Sequence, residues 1–304
     1  MRILIIGGSG FVSGTLALEA VNTGWDVTIV TRGRRPAPEG VTCIRADRDD
    51  CDAFADAVNV HRAEWDLVVD CIGMTTVHAR QDVELWSGKS DRFIFVSTDF
   101  VYDPRSRKIP QAENPAAYAK AGYGGAKHEA EEIFLRTDLG RLPWTVLRPS
   151  HIYGPGSWLG CLPLHSRDPE LLDRLRKGEP LRLLNGGRFL QHPVFAPDLA
   201  RSILSIRSAP WVMGRTLNIA GPEPVESIRY YEVIADAISM PLVVENVDAE
   251  DFLRTHPGQE PFCCDRVYDL TALTQSGLDV PSTSLRDGLR HHVQALLGAP
   301  SVAP

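Results

Sequence analysis

The sequence predicts a doubly wound α/β domain, built on a parallel sheet, with a smaller C-terminal substrate lobe. Three observations predict it. Short β-branched runs alternate with helix-forming stretches through residues 2–147. Those runs are almost continuously apolar, the pattern of strands buried on both faces of a parallel sheet. The first run ends in glycines that lead into a helix, the connection from which such sheets are assembled. The chain has 304 residues, 23% charged and 43% hydrophobic. That suits one enlarged domain or a domain with an attached lobe, with enough material for a core that needs no metal or disulfide.

The elements follow in order. Residues 2–6 form a strand that ends at Gly7, and the next helix puts Leu16, Ala17, Ala20 and Val21 on one face before Gly24 closes it. Strands at 26–30 and 41–44 flank a break at 32–38. Residues 51–65 read as a helix, 66–72 and 92–97 as strands, 123–137 as a helix rich in Ala, Glu and Lys, and 144–147 as a strand. The texture then changes. A glycine-rich loop at 154–160 precedes helices at 171–177 and 197–207, a strand at 216–219, and helices at 227–238 and 285–297. The expected division is a cofactor domain at 1–153 to which 187–221 returns, a substrate lobe at 154–186 and 222–298, and a flexible tail at 299–304.

The 32 basic and 39 acidic residues leave a formal charge of -7, which argues against a surface dedicated to nucleic acid. The six cysteines contain no Cys-x-x-Cys, and the two adjacent ones, Cys263 and Cys264, are poorly placed to bridge or chelate, so reduced thiols are expected. No histidine pair has metal spacing with a third ligand, so no metal is expected. The opening apolar run is too short for a signal or a span. A cytoplasmic protein without membrane partners is the expectation.

Gly7-Gly8-Ser9-Gly10-Phe11-Val12-Ser13-Gly14 stands between the first strand and the first helix. Glycines there allow a tight turn and close approach of the backbone to a pyrophosphate, which the helix N-terminus attracts. This is the phosphate-binding turn of a Rossmann dinucleotide site. After the second strand, an NAD site places an acid for the ribose 2′-hydroxyl. This chain has Thr31-Arg32-Gly33-Arg34-Arg35 instead, which favours the 2′-phosphate of NADP, with NAD as the alternative. Arg32 is the best candidate, and Arg34 and Arg35 read equally as a solvated loop. Asp47 either accepts from the adenine amino group or caps a loop.

Ser97-Thr98 ends a strand, and Tyr123-x-x-x-Lys127 begins a helix with both side chains on one face. An ammonium beside a phenol lowers its pKa, and the tyrosine can then exchange a proton with a carbinol or carbonyl. A Thr98 hydroxyl would hold the same oxygen.

In this order the motifs resemble the extended short-chain dehydrogenase/reductase superfamily, within the NAD-dependent epimerase/dehydratase family. The glycine turn, Ser97-Thr98-x-x-Val101-Tyr102, Tyr123-x-x-x-Lys127, Arg148-Pro149-Ser150-His151-Ile152-Tyr153-Gly154-Pro155, His192-Pro193-Val194-Phe195-Ala196-Pro197-Asp198-Leu199-Ala200 and Leu217-Asn218-Ile219-Ala220-Gly221 carry it. The resemblance implies Tyr123 as acid/base, Lys127 as its partner and a ligand of the nicotinamide ribose, and Thr98 in the Ser/Thr role. It implies Gly7, Ser9, Gly10, Phe11 and Val12 along the pyrophosphate, Arg32 by the adenosine, and Cys71, Ile72 and Gly73 where the cofactor passes. Asp99, Phe100, His151, Arg188 and His192 are candidates for the substrate, although Arg188 reads slightly better as a solvated loop or helix-capping residue. A homodimer is an expectation of the resemblance alone. Ser13 stands where the family has a third glycine, and the glycines after Tyr123 give its helix start unusual freedom.

Relatives that dehydrate sugar nucleotides follow the threonine with Asp-Glu. Here Asp99 is followed by Phe100, which carries no proton, so dehydration is disfavoured. The stretch Ser97-Thr98-Asp99-Phe100-Val101-Tyr102-Asp103 is similar to that of dTDP-4-dehydrorhamnose reductases, which tilts the reading towards NADPH-dependent carbonyl reduction of a sugar-nucleotide-like substrate. A redox-neutral 4-epimerase with tightly held cofactor is the nearest alternative. A regulator that binds NADP(H), or an RNA-binding atypical member, is another.

Overall fold

The computed structural model describes residues 1–60 and 64–298, so the expected tail at 299–304 and part of the helix expected at 51–65 lie outside the described residues. Strand β1 (Arg2–Ile6) leads to helix α1 (Phe11–Asn22), β2 (Asp26–Thr31) and β3 (Thr42–Arg45). Then come α2 (Cys51–Asn59), β4 (Leu67–Asp70), α3 (Thr76–Trp86), β5 (Phe93–Val96), α4 (Gly122–Leu135) and β6 (Trp144–Pro149). The sheet has seven parallel strands in the order Arg215–Ile219, β6, β5, β4, β1, β2, β3. The chain runs outward from β1 to β3, then restarts at β4 on the other side of β1. Ligand sites of such sheets lie at that switch, beyond the carboxyl ends of the strands.

The uninterrupted apolar run of β1 has a simple cause. Ile3 and Ile5 join the core on one face with Leu16, Ile29, Val69 and Leu217. Leu4 and Ile6 join the other with Phe54, Val68, Trp86 and Phe134. Successive strand residues point to opposite faces, and both faces are covered. A third cluster around Tyr153, Leu171, Tyr230, Tyr231 and Leu289 lies apart from these two, where helices Ser227–Ala237 and Leu285–Gly298 pack together.

Several expectations change. Helix α2 stops at Asn59, and Trp65 instead makes a parallel bridge to Ser90. The strand expected to reach residue 72 ends at Asp70, whose Oδ1 accepts from the amides of Ile72 (2.9 Å) and Gly73 (2.8 Å). Helix α3 was not expected at all. Its inward face carries His78, Gln81 and Asp82, so its burial does not show as apolar periodicity. His292 is fully buried and donates from Nε2 to the Ser157 carbonyl at 2.7 Å. Burial pushes its imidazole down to about 4.

Candidate active site

A cleft of ≈ 620 Å³ opens over the ends of β1, β2 and β4, lined among others by Gly7, Ser9, Gly10, Arg32, Asp47 and Ile72. Gly7 and Gly8 have φ of +117° and +102°, and a Cβ on Gly8 would come within 2.4 Å of the Ile29 side chain. The turn therefore lies flat on β2 in a conformation suited to glycine. Ser13, in place of the third glycine, accepts from the Gly10 amide through Oγ at 3.3 Å, so it tightens the turn. No side chain caps the first turn of α1, where Phe11 and Val12 stand. Their amides remain open to an anion, as a bound dinucleotide diphosphate requires.

At the β2 end of the cleft, Ser9 Oγ and Thr31 Oγ1 are 3.0 Å apart. Arg32 Nη1 lies 4.0 Å from Asp47 Oδ2, and Asp47 Oδ1 accepts from the Asp49 amide at 3.2 Å. Asp47 thus caps its loop and faces the cleft at once. Arg34 and Arg35 also line the cleft. A second hollow of ≈ 310 Å³ beside it is lined by Arg32, Arg34 and Asp47, and by Arg45 from the end of β3. Arg45 was missed because its link to the other arginines is strand pairing, not sequence spacing.

Cys71 and Gly73 are not among the residues that line the cleft. Cys71 packs against the core, where burial raises its thiol pKa. Gly73 holds the loop instead, with its carbonyl accepting from Lys127 Nζ at 2.7 Å. Beneath it lies a triad that sequence reasoning missed. Arg48 reaches Asp70 Oδ2 at 2.7 Å and Asp82 Oδ1 at 3.0 Å, and all three are buried. Burial lifts Asp82 well above the usual carboxylate range. The same burial acts on Asp70 as the largest single influence, but the Arg48 charge, Asp82, the Lys127 charge and the Ile72 amide together outweigh it and hold Asp70 low. One guanidinium between two buried carboxyls thus pushes the two apart, Asp82 up and Asp70 down.

The second pocket, ≈ 250 Å³, is lined by Thr98, Asp99, Phe100, Tyr123, His151, Arg167 and Arg266, with neighbours from β6 onward. Helix α4 delivers Tyr123 and Lys127 one turn apart. Lys127 is 2% exposed, and Nζ donates at 2.7 Å to the carbonyls of Gly73 and of Val96. Burial lowers it to about 8, against the pull of Asp70 and Glu131. Two of its three N–H donors are occupied, which leaves one for a ligand.

Tyr123 is 49% exposed, yet desolvation by its surroundings raises its phenol above the ordinary value, and a Thr98 hydrogen bond opposes the rise. The expected lowering by Lys127 is absent, because the ammonium is turned into the two carbonyls. Thr98 also accepts from the Phe100 amide at 3.3 Å. The glycines after Tyr123 serve contact, not freedom. A Cβ on Gly124 would lie 1.9 Å from the Phe100 carbonyl, so only glycine lets this loop press on α4.

Asp99 is committed to its neighbours. Its carboxylate accepts from the Tyr268 hydroxyl and from Arg266 Nη1 (3.5 Å), and lies 3.7 Å from Arg107. Arg266 sits 5.5 Å from the Phe100 ring centroid and 5.8 Å from that of Phe262. Arg107, Arg266 and Tyr268 carried no sequence signal. They reach Asp99 across up to 169 residues of chain. His151 faces the same pocket, and burial together with Arg266 and Arg167 pushes its imidazole well below the usual value, so it is neutral. His192 is not brought here. It is buried, donates from Nε2 to the Gly221 carbonyl at 2.8 Å and accepts the Tyr268 amide at 3.3 Å. Arg188 is exposed and lines neither pocket.

Other motif residues are structural. Arg148 is paired with Glu131 at 2.6 Å and donates to the Tyr102 hydroxyl, which donates to Asn218 Oδ1 at 2.6 Å. Asp198 accepts from the amides of Ser282 (2.9 Å) and Thr283 (2.7 Å). Among the described residues, no group of three His, Cys, Asp or Glu side chains could hold a metal, and no helix is long and apolar enough to cross a membrane.

The model of the NAD dependent epimerase/dehydratase family matches residues 3–220. The chloroplast stem-loop binding protein of 41 kDa b from Arabidopsis thaliana is 26% identical over 239 residues, 74% of this chain and 60% of that protein. The chain thus spans less than two thirds of that relative's length. The 2'-dehydrokanamycin reductase of Streptomyces kanamyceticus is 26% identical over 261 residues, 82% of this chain and 70% of the relative. In fold, the crystal structure of a UDP-glucose 4-epimerase with UDP-glucose, from Thermotoga maritima, superposes with a TM-score of 0.80, covering 98% of this chain and 99% of that one at 18% identity.

Proposed function

The chain belongs to the NAD dependent epimerase/dehydratase family, an enzyme family, and from that premise we propose that it is an NADPH-dependent reductase of a carbonyl on a sugar-nucleotide-like substrate. The observation that carries the cofactor choice is the cluster of Arg32, Arg34 and Arg35 along the cleft, joined by Arg45 in the adjoining hollow, with no acid at the end of β2. A 2′-phosphate suits three or four guanidinium groups, whereas a bare ribose hydroxyl calls for an acceptor. Bound in the cleft, the dinucleotide supplies a hydride. The chain's own residues do the rest. The first-turn amides of α1 hold the diphosphate, and the free N–H of Lys127 is available to the nicotinamide ribose. Tyr123 gives its proton to the carbonyl oxygen and Thr98 holds that oxygen in line. The phenol starts above its ordinary value, so it is protonated at neutral pH, the state a reduction needs. The Streptomyces relative is a reductase by its name, which supports the direction.

The epimerase reading is supported by the likeness to the Thermotoga enzyme, which extends to fold alone. An RNA-binding reading has the name of the Arabidopsis relative in its favour and the net charge of -7 against it. One experiment separates the first two. The purified protein is denatured, any retained nucleotide is identified by mass spectrometry, and NADPH and NADH are titrated into fresh protein. The expected result is little retained nucleotide and at least about tenfold tighter NADPH binding, the worth of one charge-assisted phosphate contact. Retained NAD would establish the epimerase reading, and a preference for NADH would overturn the role of the arginines. For RNA, filter binding at two salt concentrations would show a steep loss of affinity.

A further inference from the structure

Three arginines approach the second pocket, and they are not equivalent. Arg107 donates to the Tyr268 hydroxyl at 2.6 Å and to the Asp99 carbonyl at 2.8 Å. Arg266 is fully buried between two rings and is spent on Asp99 and Gln191. Arg167 makes no ion pair and no side-chain hydrogen bond among the described residues, and it is exposed. Its guanidinium lies 5.6 Å from the ring centroid of Phe11, the first residue after the phosphate-binding turn. It therefore stands between the cofactor turn and the pocket that holds Tyr123.

The backbone presents it deliberately. Arg167 has φ +49°, a region costly for a long side chain. The loop is pinned on both sides of that strain. The amides of Arg167 and Asp168 donate to the carbonyls of Gly160 (3.4 Å) and Leu159 (2.8 Å), and His165 bridges Asp168 Oδ2 (2.9 Å) and the Arg182 amide (3.1 Å). A Cβ at Gly160 would sit 1.6 Å from the His165 carbonyl, so the loop closes only over glycine. Around the pocket, Arg107 and Arg266 face the single carboxylate of Asp99, and Arg167 adds a further uncompensated positive charge. No acid of the pocket lining answers it.

We infer that Arg167 is the specificity-determining residue that receives the anionic part of the substrate, its guanidinium oriented by the Phe11 ring towards the pocket that holds Tyr123. This rests on the reductase reading for the substrate class, but not for the sign of the charge. A phosphate or a carboxylate would satisfy the planar donor fork.

The test uses Arg167→Asn. Asparagine tolerates positive φ, so the variant removes the guanidinium without disturbing the loop. Wild type and variant, both loaded with NADPH, are titrated calorimetrically with UDP-glucose and with inorganic pyrophosphate. The expected result is a loss of tenfold to about a hundredfold in affinity for each anion, the worth of a charge-assisted contact. NADPH affinity and the unfolding midpoint should remain unchanged. If pyrophosphate binding depends on Arg167 while UDP-glucose does not bind at all, the anion site stands and the sugar-nucleotide reading fails. Unchanged affinities in Arg167→Asn, or a wild type that binds neither probe, overturn the inference. So does an equal loss of NADPH binding, which would place Arg167 in the cofactor site.

Discussion

The two clefts at the carboxyl edge of the sheet are assembled in opposite ways. The larger one is lined by four short stretches, residues 7–13, 30–35, 46–54 and 72–78, each following a strand in the first quarter of the chain. Its donors are backbone amides and exposed arginines. The smaller one gathers residues from 97 to 266, and its charges, the exposed Arg167 apart, are buried and mutually paired. An amide site tolerates many side chains, because the backbone does the binding. A buried charge network tolerates few, because removing one partner strands the other.

The contrast breaks first at Tyr123. Tyr123→Phe should cut turnover by about 10²–10⁴-fold, the usual worth of a positioned general acid, while NADPH affinity stays within about twofold. A steady-state assay beside a fluorescence titration checks it, and retained turnover would remove the second pocket from the chemistry. Next is the buried pair behind it. Glu131→Gln strands Arg148 and should cost about 3–5 kcal/mol of stability in urea unfolding. A loss under about 1 kcal/mol would show that the motif arginine is not buried as described.

His292 sharpens the comparison through pH. Its folded value of about 4 lies below the ordinary 6.5, so the unfolded chain binds more protons between those values. Stability is therefore lost as pH falls through that window and is full above it, by up to about 3 kcal/mol for this group. His292→Gln keeps a donor for Ser157, and its unfolding free energy should fall less steeply from pH 6.5 to 4. Equal slopes would mean that the helix carrying His292 opens before the histidine is charged. The smallest effect is expected at the exposed end of the larger cleft. Arg32→Ser should lower the NADPH-over-NADH preference by about tenfold or less, since the side chain is half open to solvent and Arg34, Arg35 and Arg45 remain.

Legibility in the sequence follows the same division. The glycine turn, the strands of the first half and the Tyr-x-x-x-Lys helix could be placed from residues alone, because each is a local pattern. Helix α3 could not, since its polar inward face imitates a solvated segment. Motif residues such as Arg148, Asn218 and Asp198 were visible without a role, and the structure shows them tying loops and strands together. His192 was a substrate candidate for the same reason. A histidine in a motif looks the same whether it faces a ligand or a carbonyl.

The sequence by itself determined the parallel sheet, the position of the glycine turn and the placing of Tyr123 and Lys127 one turn apart on a helix. Apolar runs, glycines and helical spacing act within a few residues of one another. Tertiary structure alone decided which charges are free. Asp99 is occupied by Tyr268 and Arg266, Lys127 is turned into two carbonyls, Asp82 is pushed above the usual carboxylate range, and Arg167 remains unpaired among the described residues. The physical reason is that desolvation and charge pairing depend on which distant segments meet, and chain spacing does not encode those distances.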